Sequence, residues 1–166
     1  MSVFLEVSVR SFTVGRKRVL GLAQAVLKCI GESSADMSVS LVGDRRMRRL
    51  NRRYRQKDRS TDVLAFAFRE ARAPHHFNRI AAHLGDVVIA IPTARRQAKA
   101  AHRSLEEEIV TLLIHGVLHL CGYDHERGRD EALRMQRKER QVRRRLGPMT
   151  RFVRAGRDGM RDRRGD

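Results

Sequence analysis

The eleven residues from 115 to 125, HGVLHLCGYDH, constrain this chain more than any other stretch. His115 and His119 are four apart, so on a helix they project from one face about a turn from each other. Gly122 then stops the helix at a position where a left-handed backbone is cheap only for glycine. The reversed chain can bring His125 back as a third nitrogen. One histidine on an apolar helix face is ordinarily a satisfied core residue, but three converging on a point describe a metal site. Three protein ligands leave the fourth position of a tetrahedral ion open, which marks a catalytic rather than a closed structural site. Cys121 lies two residues beyond His119, points off the histidine face and reads as a buried thiol. The fold must therefore carry a long apolar helix in its interior. Ser104 and Glu107 supply the capping-box pattern that starts it.

The segment also shows what is missing. The metzincin peptidases carry H-E-x-x-H-x-x-G-x-x-H, whose glutamate is the general base for the metal-bound water. This chain keeps the histidines and the glycine but has Gly116 in the glutamate position. Glycine cannot take a proton, so the peptidase mechanism is excluded in its usual form.

Periodicity supplies the rest of the domain. Val3, Leu5, Val7 and Val9 alternate as a half-buried strand over 3–10, and residues 37–42, 63–68 and 84–91 read as three more. Spacings of three and four predict helices over 16–30, from Asp44 to about Tyr54, from Pro92, over 104–121 and over 128–146. Asp44 is a candidate N-cap, and its helix is expected to bury Met47, Leu50 and Tyr54. Residues 69–83, with Pro74, His75, His76 and Asn78, read as a surface loop. His75, His76, His83 and His102 carry no ligand spacing. Strands interleaved with about five helices predict an α/β or α+β domain over 1–148, of which α+β is the expected class. The Arg/Gly/Asp-rich residues 149–166 are expected to be a disordered tail.

Charge separates the remaining function classes. The chain has 36 Lys and Arg against 19 Asp and Glu, a net of +17. Residues 44–59 hold nine basic residues against two acidic, and residues 126–166 fifteen against seven. Clustered excess of this kind suits a polyanion, because each neutralised phosphate releases a counterion. Arginine outnumbers lysine 31 to 5, so part of the excess reflects a compositional bias. No apolar run approaches the roughly 20 residues needed to cross a bilayer. MSVFLEVSVR does not read as a signal peptide, and two cysteines make no disulfide framework. The expected location is the cytoplasm.

Taken with LNRRYRQKDRSTDVLAF (50–66) and LGDVVIA (84–90), the histidine segment resembles the YbeY family of bacterial endoribonucleases over residues 3–145. The resemblance implies a mixed four-stranded sheet and single-strand cleavage in ribosomal RNA maturation, at the 3′ end of small-subunit rRNA, with ribosome quality control. It implies a zinc ion on His115, His119 and His125, and a functional arginine, here Arg55, in the Y-R-x-K-D segment. Arg55 and His115 are the expected catalytic residues, and Arg52, Arg55, Lys57 and Arg59 the expected RNA contacts. Implied partners are rRNA, the small ribosomal subunit, one of its proteins and an Era-type GTPase. Where the family often reads TDVLSFP, this chain has Ala65 and Ala67, so no role of that serine carries over.

The other residues near these motifs leave alternatives open. Asp124 either orients a metal-bound histidine or caps the last helix, while Asp62 and Asp86 fix loops at strand ends. Tyr54 and Tyr123 each offer a ring to an unpaired base, though Tyr54 is expected to pack inward. With so few aromatics among the basic residues, sequence specificity should be poor and targeting should come from the ribosomal particle. A non-catalytic RNA-binding assembly factor with a structural zinc, and a zincin-like hydrolase of another substrate, remain as alternatives.

Overall fold

Alternation places Val3, Leu5 and Val7 on one side of the first strand and Phe4 and Glu6 on the other, and β1 (Val3–Val7) forms accordingly. The computed structural model describes residues 1–68 and 83–156. It continues with β2 (Phe12–Val14), α1 (Arg16–Ile30), β3 (Asp36–Val42), α2 (Asp44–Arg55), β4 (Val63–Ala67) and β5 (His83–Ala90). There follow α3 (Ile91–Ala100), α4 (Leu105–Leu120), a 3-10 turn (His125–Arg127), α5 (Arg129–Leu146) and β6 (Val153–Ala155).

The main sheet runs β1–β3–β5–β4. The first three strands are parallel and β4 is antiparallel to β5, so the sheet is mixed. With five helices among the described residues, this is the expected α+β architecture. Residue alternation gives the sheet two unequal faces. On one, Met37, Val39 and Leu41 of β3 and Val87 and Ile89 of β5 pack with α1, α4 and α5 in the main core. On the other, Met47 and Leu50 of α2 cover Val42, Leu64, Val88 and Ala90.

Helix α4 is the axis of the main core. Ser104 accepts from the Glu107 backbone and the Glu107 carboxylate reaches back to the Ser104 backbone, completing the capping box. Ile109, Val110, Leu113, Ile114, Val117 and Leu118 are all buried, each contributing about 1.5–3 kcal/mol relative to exposure. Gly116 lies where α4 comes nearest the sheet. A Cβ there would stand 2.7 Å from Val87 Cγ1.

Five sequence expectations are corrected. Asp44 does not cap α2; Gly43 stands at the N-cap. The Asp44 carboxylate instead accepts from Thr93 Oγ1 and Ser60 Oγ and pairs with Arg96, tying α2 to α3. Burial opposes ionisation of this group. The hydrogen bonds from Thr93 and Arg96, with the charge of Arg96, outweigh it and hold the carboxyl below its usual range. Tyr54 is 53% exposed rather than packed inward. The first strand stops at Val7, and Phe12–Val14 forms a separate one.

The fourth correction concerns the tail. Residues 149–156 belong to the domain, since β6 pairs antiparallel with β2 and Phe152 and Val153 are buried. Their backbone N–H groups donate to Glu106 Oε1, each at 3.1 Å. The Phe-Val pair supplies apolar surface that the surrounding arginines mask in the composition. His83, expected in a loop, begins β5. The rest of that expected loop, with Pro74, His75, His76 and Asn78, and residues 157–166 of the expected tail lie outside the described residues.

Candidate metal centre

The last turn of α4 carries His115 and His119 on one face, and the chain reverses immediately after them. Gly122 adopts φ +87. Its N–H donates to His119 O at 3.0 Å and that of Tyr123 to Leu118 O at 3.1 Å, the paired bonds of a Schellman ending. This reversal leads into the 3-10 turn that begins with His125. One ring nitrogen from each of the three histidines lies within 4.8 Å of the others. His115 Nε2 and His119 Nε2 are 3.1 Å apart. Two nitrogens sharing a tetrahedral zinc at about 2.05 Å stand roughly 3.3 Å apart, so the pair is spaced to hold one ion.

Protonation favours the same role. Burial pushes the His119 imidazole below its ordinary pKa, and the neighbouring His115 and His125 push it further. A neutral ring with a free lone pair is the form that binds metal. His115 is oriented by a residue the sequence reading missed. Its Nδ1 lies 2.7 Å from Glu139 Oε1 on α5, and since a carboxylate only accepts, Nδ1 carries the proton and Nε2 faces the cluster. The signal for Glu139 is tertiary: it lies 24 residues from His115, on a separate helix. Asp124 performs neither of the two roles left open for it. Its Oδ1 accepts from Glu126 N and caps the 3-10 turn, and its carboxyl is held low first by that N–H and also by Arg127 and the two nearby histidines.

The cluster opens onto a cleft of about 680 Å³ that runs along β4. Arg55, Lys57 and Arg59 line it together with His115, His119 and His125. Arg52 does not; it lies near the Arg48–Asp58 ion pair, where its charge helps hold the Asp58 carboxyl low. Buried Asn51 explains how the basic loop is placed. Its Nδ2 donates to Arg59 O at 2.8 Å and its backbone carbonyl accepts from Lys57 N, while Gln56 makes the left-handed turn between them at φ 57. Asp62 accepts from Val63 N and from Gln97 Nε2, the strand-end fixing role expected of it. Tyr123 lines the cleft with Arg134 over its ring at 5.1 Å.

Fold and site together define an α+β domain with a tri-histidine centre in a basic cleft. A family model described as endoribonuclease YbeY matches residues 5–147. A protein of that name from Geobacter metallireducens is 41% identical over 135 residues, covering 80% of this chain and 87% of its own length. One from Anaeromyxobacter sp. is 44% identical over 140 residues, covering 84% and 69%. One from Aquifex aeolicus is 38% identical over 136 residues, covering 82% and 87%. The solution structure of TM1509 from Thermotoga maritima shares the fold, with a TM-score of 0.55 at 21% identity over 90% of this chain and 99% of that one. The chain belongs to the YbeY endoribonuclease family.

Proposed function

We propose that this protein cleaves single-stranded RNA phosphodiester bonds in the maturation of ribosomal RNA, at the 3′ end of the small-subunit species, in the cytoplasm. One observation carries the reading: the three convergent histidines and the Arg55–Lys57–Arg59 run line the same cleft. An all-imidazole set with three ligands suits zinc, which when bound supplies Lewis acidity at neutral pH. The chain's own residues do the rest. Arg55 holds two oxygens of the scissile phosphate and offsets the charge that grows on them. Lys57 and Arg59, fixed by Asn51, track the neighbouring phosphates. Glu139 keeps the His115 ring from turning. No residue at position 116 can act as the peptidase base, and Val87 leaves no room for one.

The ribosomal particle, through the small subunit, one of its proteins or an Era-type GTPase, supplies targeting in this proposal. The strand is attacked either by water or by its own 2′-hydroxyl, and the product ends distinguish the two. A 2′,3′-cyclic phosphate, or a monophosphate derived from it, identifies the intramolecular route; a 3′-hydroxyl identifies water.

The test is cleavage of a small-subunit rRNA 3′ precursor, naked and in particles, by purified wild type beside His115→Ala and Arg55→Ala prepared identically. Cleavage by wild type alone is expected, with Arg55→Ala reduced about 10²–10³-fold, as for a lost transition-state donor. Equal cleavage by all three, or by none, leaves the protein an RNA-binding assembly factor whose metal is a structural staple.

A further inference from the structure

The half of the sheet that α2 leaves uncovered gathers aromatic side chains from distant parts of the chain. There are six Phe and two Tyr in the whole sequence, and four of these eight, Phe4, Tyr54, Phe66 and Phe68, line one open depression of about 670 Å³. Phe4 is 60% exposed, Tyr54 53% and Phe68 40%. Strand register sets them out in order. Phe4 on β1 stands beside Ser38 on β3, Ser38 beside Asp86 on β5, and Asp86 beside Phe66 on β4. The row spans three strand spacings, about 14 Å, with a ring at each end. Phe66 and Tyr54 meet edge to face at 5.0 Å, and Arg53 lies over the Tyr54 ring at 5.4 Å.

We propose that this face is a base-stacking platform for the unpaired strand that flanks the scissile phosphate. The inference rests on the RNA reading of the metal cleft and extends it. Continuity supports the occupant, because Phe66 lines both depressions and adjacent residues of α2 serve both, Arg55 the cleft and Tyr54 the platform. A strand held by its phosphates at Arg55 passes directly onto these rings. Electrostatics sort its parts. Asp86 in the middle of the row repels phosphate, so bases lie on the sheet while the backbone follows the arginines of α2. A basic protein partner fits less well, since Glu6 already accepts two bonds from Arg46 and Asp86 is shared with His83 at 3.6 Å. Open four-stranded sheets bearing aromatic rings stack two or three bases in other RNA-binding modules.

The test is equilibrium binding of the full chain to a 2′-O-methyl strand long enough to run from the cleft to β1, checked afterwards for intactness. The same strand with abasic residues in its outer part is compared. Wild type should lose about tenfold in affinity for each stacked base removed. Phe4→Ser with Phe68→Ser, both at exposed positions, should bind the intact strand at the abasic level. That variant should be insensitive to the abasic change and should keep the wild-type salt dependence. Wild type that binds RNA through Arg55 yet is indifferent to the abasic residues and to the double substitution overturns the platform and leaves the cleft standing. Wild type that binds no RNA overturns both. Loss of self-association in the double variant, with RNA binding unchanged, assigns the face to a second copy and also overturns the proposal.

Discussion

The metal centre and the aromatic face of the sheet are built in opposite ways. The three candidate ligands come from eleven consecutive residues, brought together by one helix end and one left-handed glycine. The aromatic row comes from β1, α2, β4 and the segment just beyond it, and none of its members lies in a local pattern that announces it. The first is assembled within α4 and the turn that follows it, with Glu139 of α5 fixing one ring; the second exists only when the sheet has its full register. Helix α2 joins them, since its last turn points Arg55 one way and Tyr54 the other. The difference predicts that damage to local geometry should silence the centre without disturbing the sheet. Damage to packing between α4 and the sheet should do the reverse first.

The largest effect on this contrast should come from Glu139→Gln. The amide still fills the space but can no longer favour one ring orientation by charge, so metal affinity should fall about 10–100-fold. Folding should be unchanged. Competition with a chelator gives the affinity and urea unfolding of the metal-free protein gives the control, since the loaded form's stability follows its metal affinity; equal affinity in both proteins removes Glu139 from the centre. Gly116→Ala should act on the other side of the comparison. The added methyl meets Val87 at 2.7 Å, and a β-branched neighbour in a packed core yields little. Against a helix-propensity gain of up to about 1 kcal/mol, overpacking of about 1–3 kcal/mol should leave the variant net destabilised. A urea midpoint at or above that of wild type shows that the contact relaxes freely.

The smallest effect concerns α2, which both regions share. Asp44 ionises more readily folded than unfolded. Its stabilisation is therefore present above the unfolded value of about 3.8 and is lost as pH falls through the lower folded value. Asp44→Asn should lower the urea midpoint at pH 7, and its gap from wild type should narrow as the medium is acidified past that window. A gap that stays constant assigns the effect of the substitution to hydrogen-bond geometry instead.

What could be read in advance follows the same division. The histidine triad, the Ser104 cap, the main strands and the basic run are local in sequence, and periodicity or spacing reports them, whereas the mixed pairing of the sheet is implied by the family resemblance. Glu139 and Asn51 act through contacts 24 and 8 residues away, and the aromatic row assembles across the sheet, so no local pattern reports what they do together. Tyr54 shows the point sharply. Helical spacing put it inward with Met47 and Leu50, but α2 covers only part of its sheet face, and its last turn overhangs the open half. Phe152 and Val153 were masked by the arginines on either side.

The bond between Glu106 and the backbone of Phe152 and Val153 has a consequence in time. The helix that bears the first two ligands is synthesised well before the residues that satisfy the carboxylate in its first turn. Until those residues emerge, a carboxyl oxygen that accepts from two amides lacks both, and the start of α4 must keep it in contact with water. The histidine-bearing helix can therefore settle fully into the core only after β6 has been made, which sets a late checkpoint on maturation of the centre. Shortening the chain to end at Pro148 would hold every molecule at that checkpoint.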